Sequence, residues 1–169
     1  LKKYALQFDK ASLKDLRVSK KEISDAVKKV DKDLKEAITV AFKNIKKFHE
    51  AQTHKAEKIE TTKGVVCWRE SRPIENVGLY IPGGTAPLFS TVLMLSIPAA
   101  IAGCKRVVLC TPAGKTGIHP AILFAANLCG VTEIYKVGGA QAIGAKAYGT
   151  QTIAPVDKIF GPGNQYVTM

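Results

Sequence analysis

The stretch GLYIPGGTAPLFSTVLMLSIPAA, residues 78–100, joins a short apolar run to a longer one through Pro-Gly-Gly. The first run has the length and composition of a buried strand, and the second is long enough for a helix. Glycine tolerates positive φ and lets a backbone approach another group closely, because it has no Cβ. The stretch therefore predicts a strand, a glycine-bearing turn (an elbow) and a helix in direct succession.

Two further elbows follow, in KVGGAQAIG (136–144) and KIFGPGN (158–164). A strand is predicted at 65–69, and from residue 77 onward strands and helices alternate: strands at 77–81 and 105–112, strands with their elbows at 131–139 and 156–164, and helices at 88–102, 118–129 and 140–149. Alternation with continuously apolar strands is typical of a parallel sheet covered on both faces. Since ligands bind beyond the carboxyl ends of such strands, we expect the three elbows to form one site.

An amphipathic helical arm precedes this α/β region. SKKE (19–22) has the spacing of a capping box, and apolar residues recur every three or four positions from Ile23 to Phe48. Asp31 and Asp33 are candidate caps that would divide the helix near Val30. We expect a polar connection over 52–63 and expect the apolar stripe to pack on segments outside this chain or on a partner. The predicted domains are residues 1–63, a helical arm that is part of a first domain, and residues 64–169, which hold the predicted parallel sheet.

The chain is basic, with a formal net charge of +11 over 169 residues. Residues 1–63 hold 17 basic and 10 acidic side chains, against 8 and 4 in residues 64–169. Interspersed acids indicate a solvated helix face, and a 7% aromatic content gives no pattern for base stacking. We expect no nucleic-acid partner, although a basic nucleotide- or nucleic-acid-binding module remains the alternative. The apolar run 92–104 is too short to span a bilayer.

The elbows do not fit the standard nucleotide-binding fingerprints. G-x-G-x-x-G would need a glycine at Tyr166, and the P-loop spacing of 139–144 is followed by Ala145 before Lys146. The polar side chains that the elbows do carry are neutral, namely Tyr80, Gln141 and Asn164. Such groups orient a ligand but do not abstract its proton. The residues therefore indicate the binding half of an active site.

Histidines and cysteines supply no readable metal site or catalytic pair. His49 and His54 are five positions apart and face different sides of a helix, unlike a zinc-binding pair. The four cysteines, at positions 67, 104, 110 and 129, form no C-x-x-C motif. Three of them, at 104, 110 and 129, lie in apolar contexts, and we expect these to be small buried hydrophobes; a reducing cytoplasm is the expected compartment. Cys104, beside two basic residues, is the candidate nucleophile if the chain is instead an aldehyde dehydrogenase-like enzyme.

The long segments RPIENVGLYIPGGTAPLFSTVLMLSIPAAIAGCK, VGGAQAIGAKAYGT and VDKIFGPGNQYVT closely resemble the histidinol dehydrogenase family, and the resemblance extends over nearly the whole chain. It implies that residues 64–169 are an incomplete Rossmann-like, NAD-binding domain with a fold related to that of aldehyde dehydrogenases. It also implies NAD-dependent oxidation of L-histidinol to L-histidine through L-histidinal by a zinc-dependent homodimer. By the same resemblance, Tyr80, Gln141 and Asn164 are NAD-contacting residues.

The resemblance further implies a family chain more than twice as long as this one. The zinc ligands and a Glu-His acid-base pair would lie in the missing part. The chain begins with Leu1 rather than methionine, so we expect a piece of a longer protein. We predict that this piece is inactive alone and binds no zinc.

Overall fold

The computed structural model describes residues 1–53, 56–84, 86–131 and 133–163. Three helices come first: α1 (Lys2–Asp9), α2 (Lys20–Lys29) and α3 (Lys32–Glu50). Two strands follow, β1 (Lys58–Thr62) and β2 (Val65–Trp68). The remaining elements alternate: β3 (Asn76–Tyr80), α4 (Phe89–Ala102), β4 (Arg106–Thr111), α5 (Pro120–Leu128), β5 (Glu133–Lys136), α6 (Gly139–Tyr148) and β6 (Lys158–Phe160). Among the described residues, no helix is long and apolar enough to cross a membrane.

The main sheet has four parallel strands in the order β5-β4-β3-β6. Tyr80 on β3 pairs with Cys110 on β4, which pairs with Tyr135 on β5. The chain builds outward from β3 through β4 to β5 and then returns to place β6 on the other side of β3. The predicted parallel α/β sheet is confirmed, and its order reverses between β3 and β6. Open α/β sheets bind ligands at such a reversal.

Neighbouring residues on each strand serve two different cores, because side chains alternate between the faces of a sheet. Leu79, Leu109 and Ile134 point to the face covered by α4 and α5, the α4–α5 face. Tyr80 and Cys110 point to the opposite face, which α6 covers together with leucines that precede and follow α1, Leu1, Leu13 and Leu16. Alternate residues of each strand therefore pack into the core under α4 and α5 and into the core under α6.

The start of the arm folds as the capping pattern predicts. The Glu22 N–H donates to Ser19 Oγ at 3.1 Å, and the Ser19 N–H donates to a Glu22 carboxylate oxygen at 2.8 Å. Asp31 caps α3 by accepting the Leu34 N–H at 2.8 Å. The expected division of the arm near residue 30 is therefore confirmed, with Asp31 as the cap.

The expectation that the apolar stripe of the arm packs outside the chain is wrong for most of its length. Helix α3 packs on α4, and its residue Ile38 is 1% exposed in the larger core. Leu34 and Phe42 pack against the same core. Phe48 remains exposed at the carboxyl end of the stripe. The arm thus forms an outer layer over the α4–α5 face.

The polar connection predicted over 52–63 is wrong for residues 58–62. Residues 58–62 form β1, which pairs antiparallel with β2 to make a separate two-stranded hairpin. All residues of both strands are exposed, so β1 shows no alternation of apolar and polar side chains to predict it. The predicted domain boundary, between residues 63 and 64, falls in the turn of this hairpin.

Candidate functional site

The elbows after β3 and β5 meet at one proline. Pro112 follows β4, which lies between those two strands. A Cβ on Gly83 would lie 2.7 Å from Pro112 Cγ, and a Cβ on Gly138 would lie 2.6 Å from Pro112 Cβ. Real Cβ atoms do not approach so closely, so both positions require glycine. Close packing against Pro112 therefore explains why residues 83 and 138 are glycine.

The elbow after β6 lies against the end of β3. A Cβ on Gly161 would collide with the carbonyl oxygen of Tyr80 and would lie 2.9 Å from its Cβ. This close backbone approach occurs where the strand order reverses. The structure therefore gathers all three elbows at the carboxyl edge of the sheet, with Tyr80 between them.

Tyr80 ties the end of β3 to the start of α6. The residue is 4% exposed, and its hydroxyl oxygen accepts the Gly139 N–H at 2.9 Å. The N-cap residue before α6, Gly138, has no side chain to cap the helix, and the Tyr80 hydroxyl takes that place. Burial raises the pKa of Tyr80, as do the charges of Asp9 and Cys110, while the Gly139 hydrogen bond opposes the rise. The phenol is therefore neutral near pH 7.

Gln141 lies in the first turn of α6 beside the same elbow. Its side chain folds over Gly139, where a Cβ would lie 2.8 Å from Gln141 Oε1 and 3.1 Å from Nε2. The structure thus brings Tyr80 and Gln141 to one glycine. Asn164, the third predicted residue, lies outside the described residues. Gly161, three positions before it, contacts Tyr80.

Lys146 is a site residue that the sequence did not reveal. It is fully buried on α6, and its Nζ donates to the Leu79 carbonyl oxygen at 3.0 Å. The same Nζ lies 5.3 Å from the centroid of the Tyr80 ring. Desolvation lowers the pKa of Lys146 to about 8, with Cys110 acting in the opposite direction. Lys146 therefore holds the end of β3 through this hydrogen bond. Because its ammonium is fully buried, it does not act as a P-loop lysine, which contacts a bound phosphate.

One residue in the sequence could have indicated the buried position of Lys146, namely the glycine inside β3. A Cβ on Gly78 would lie 2.8 Å from Lys146 Cδ, so the lysine stem fills the space that another side chain would take. Glycine within a strand often marks such a close approach. No sequence pattern connected the two positions, which are 68 residues apart in the chain.

Asp9, the last residue of α1, was also missed. Its Oδ1 lies 3.3 Å from the position of a Cβ on Gly138. Its Oδ2 is buried and has no hydrogen-bond partner in the described part of the chain. Burial raises the pKa of Asp9. A carboxylate therefore lies beside the amino end of α6, next to the peptide that Tyr80 binds.

The cysteines do not support the aldehyde dehydrogenase-like alternative. Cys104 lies between α4 and β4, at the edge of the sheet opposite the elbows, and burial raises its pKa. Burial also raises the pKa of Cys110 to about 11 and that of Cys129 to about 12. A nucleophilic cysteine needs a lowered pKa, so none of these three thiols is activated.

The histidines take local structural roles. The Ala121 N–H donates to His119 Nδ1 at 3.2 Å at the start of α5, and His49 Nδ1 lies 2.8 Å from Gln52 Oε1. His54 lies outside the described residues. Across the ranges that the structure describes, no group of three or more His, Cys, Asp or Glu could hold a metal ion.

A large groove lies elsewhere in the molecule. It has a volume of about 1410 Å³ and runs along α2 and the segment before it, with Leu13, Arg17, Val27 and Lys136 among its lining residues. Neither Tyr80 nor Gln141 lines it. The candidate site is therefore defined by the convergence of the elbows and not by the size of a cavity.

Comparison with known proteins gives one consistent family. The histidinol dehydrogenase family model matches residues 1–169. The chain is 63% identical over 162 residues to a histidinol dehydrogenase of Bacteroides fragilis, covering 95% of this chain and 38% of that protein. It is 54% identical over 168 residues to the Escherichia coli histidinol dehydrogenase, covering 99% and 38%.

A solved structure agrees with the sequence comparisons. The histidinol dehydrogenase of Elizabethkingia anophelis matches with a TM-score of 0.96 and 60% identity, over 99% of this chain and 39% of that one. This chain thus spans about two fifths of the length of the relatives it matches.

Proposed function

Because this chain belongs to the histidinol dehydrogenase family, we propose that it is the NAD-binding part of an enzyme of histidine biosynthesis. The complete enzyme would oxidise L-histidinol to L-histidine through L-histidinal. The observation that supports this role most is the convergence of three elbows on Tyr80, at the reversal of strand order. This is the location at which open α/β sheets bind nucleotides.

The groups at the elbows suit different parts of a dinucleotide. No described side chain caps the amino end of α4, and its first turn has no acid, so its N–H groups can bind phosphate. The amino end of α6 is less suited to phosphate, because Tyr80 takes the Gly139 N–H and Asp9 lies beside Gly138. We therefore place the pyrophosphate at α4 and a neutral part of NAD at α6.

Tyr80, Gln141 and Asn164 would orient the cofactor through hydrogen bonds. Bound NAD supplies the acceptor for the hydride that leaves the alcohol. The role of this chain is to hold the cofactor at the sheet edge. Its buried Lys146 and Pro112 keep the end of β3 and the adjacent elbows in place.

The zinc ion and the acid-base residues would come from elsewhere in the complete protein. Within the described ranges the chain offers no set of zinc ligands, and a catalytic zinc needs about three. We propose a zinc-dependent cytoplasmic homodimer as the complete enzyme, with this chain inactive alone. The four cysteines are free thiols, which suits a reducing compartment.

The test compares this chain with a complete protein of family length. Each would be assayed for metal content and for NADH absorbance in the presence of L-histidinol and NAD. We expect turnover and bound zinc in the complete protein, and neither in the 169-residue chain. Turnover by this chain above background, or one zinc per chain, would contradict the assignment. Steeply salt-dependent binding of oligonucleotides would instead favour the nucleic-acid alternative.

A further inference from the structure

The hairpin formed by β1 and β2, residues 58–68, has little support from the rest of the chain. Among the described elements, its two strands make extensive contacts only with each other. Helix α3 before the hairpin packs on α4, and β3 after it pairs with β4, so the chain leaves the main body and returns to it. Every residue of both strands is exposed. An isolated two-stranded hairpin is marginally stable in water, so this one needs a further surface to pack on.

One face of the hairpin carries no charge. Ile59 and Cys67 are partners across the two strands, and such partners share a face. Val65 lies on the same face because it is two positions before Cys67. Thr61 also lies there, since its Oγ1 is 3.9 Å from Cys67 Sγ. We call these four residues the uncharged face.

The opposite face mixes charged and apolar side chains. Lys58 pairs across the strands with Trp68, and Glu60 pairs with Val66. The Lys58 ammonium lies 5.5 Å from the centroid of the Trp68 ring, so the lysine covers part of the indole. This face can therefore remain in water. The uncharged face has no such cover, and an exposed apolar surface without charges is typical of the centre of a protein interface.

The distribution of charge indicates which partner the uncharged face binds. The whole chain has a formal net charge of +11, whereas residues 57–70 hold three basic and three acidic side chains and are neutral. Two copies of a strongly basic chain repel each other wherever basic surfaces meet. A neutral hairpin with an uncharged face avoids this repulsion. An acidic partner would instead be attracted to the basic surfaces outside the hairpin.

We propose that the uncharged face of the hairpin docks on a second copy of this chain. Closed dimers have two-fold symmetry, so each copy contributes its hairpin to the other and the contact is made twice. The docking assigns the subunit interface to a segment outside the three elbows. It rests on the proposed homodimer and not on the proposed binding of NAD.

Two neighbouring valines on β2 provide a matched pair of variants. Val65 on the uncharged face is 48% exposed, and Val66 on the opposite face is 46% exposed. Val65→Glu and Val66→Glu would be made in the complete protein, and circular dichroism would show whether each variant folds. Donor-labelled and acceptor-labelled dimers of each protein would then be mixed, and energy transfer would report how fast their subunits exchange. Sedimentation of the parent would establish the dimer itself.

We expect Val65→Glu to exchange subunits at least about 100-fold faster than the parent, because an unpaired carboxylate is costly inside an interface and affinity changes act mainly on dissociation. Val66→Glu should exchange within about 3-fold of the parent, since contacts outside the centre of an interface contribute little. If Val65→Glu does not fold, Val65→Thr, which keeps the shape and buries a hydroxyl, should still exchange about 5-fold faster.

Parental exchange in the Val65 variants, or equal acceleration in Val65→Glu and Val66→Glu, would overturn the proposal. Parental exchange with a loss of stability would show that the remainder of the same chain covers this face. A monomeric parent would remove the homodimer together with the docking. The affinity for NAD is measured separately, and its absence would overturn the NAD assignment while the docking stands.

Discussion

The two faces of the four-stranded sheet differ in composition, although the same strands supply both. The α4–α5 face is almost entirely apolar, with Leu79 and Leu109 in a core that α3 extends outward. On the other face, Tyr80 and Cys110 lie with the buried ammonium of Lys146. The α4–α5 face therefore contributes mainly to stability. The α6 face buries polar groups, which lowers the stability but holds the edge of the sheet in position.

The largest effect should come from truncation on the α4–α5 face. Leu109→Ala leaves a cavity at a fully buried position and should cost about 2–5 kcal/mol in the free energy of unfolding. Its neighbour Cys110 faces α6, and Cys110→Ala should cost only about 1 kcal/mol. Ile59→Ala, on the exposed hairpin, is the control. Chemical denaturation measures all three, and equal losses at 109 and 110 would remove the contrast between the faces.

On the α6 face, removing a charge should stabilise the protein. Lys146→Met should raise the free energy of unfolding at pH 7 by about 1–3 kcal/mol, because burying an ammonium costs more than its one hydrogen bond returns. Lys43→Met, on the exposed surface of α3, should change little.

The same lysine should give a pH signature. Its pKa falls from 10.5 in the unfolded chain to about 8 in the fold, so the unfolded state binds more protons between these values. Stability contributed at this position therefore rises with pH from about 8 to 10.5 and is lowest below 8. Denaturation at several pH values should show this rise in the parent and not in Lys146→Met. A parallel rise in both proteins would place its origin elsewhere.

A smaller effect is expected in the outer layer that covers the α4–α5 face. Ser19→Ala removes the side chain that accepts the Glu22 N–H at the start of α2 and should cost about 1 kcal/mol. Ser12→Ala, at an exposed position before the helix, should cost much less. A loss of several kcal/mol at Ser19 would mean that α2 carries more of the stability than its position suggests.

Local patterns predicted the parts of the fold that local physics determines. The elbow after β3, the capping box at Ser19 and the division of the arm at Asp31 follow from neighbouring residues. The hairpin strand β1 was missed because both of its faces are exposed and its side chains therefore show no alternation.

The candidate site was predicted less completely, since its contacts join distant parts of the chain. The sequence pointed to Tyr80 as a neutral polar residue, but not to the use of its hydroxyl by Gly139. The glycine-bearing elbows pointed to a binding site, whereas the structure shows that contact with Pro112 requires glycine at positions 83 and 138. Asp9 and Lys146 reach the site from α1 and α6, and no spacing in the sequence connects them with β3.

The central claim is that the sheet edge around Tyr80 binds NAD, and Gln141 tests it most directly. Gln141→Ala in the complete protein removes a side chain that lies over Gly139 without entering either core. Gln151→Ala, at an exposed position after α6, is the matched control. In calorimetric titration with NAD, we expect about 3- to 10-fold weaker binding for Gln141→Ala and parental binding for the control. Parental affinity in Gln141→Ala would show that NAD does not bind through this elbow.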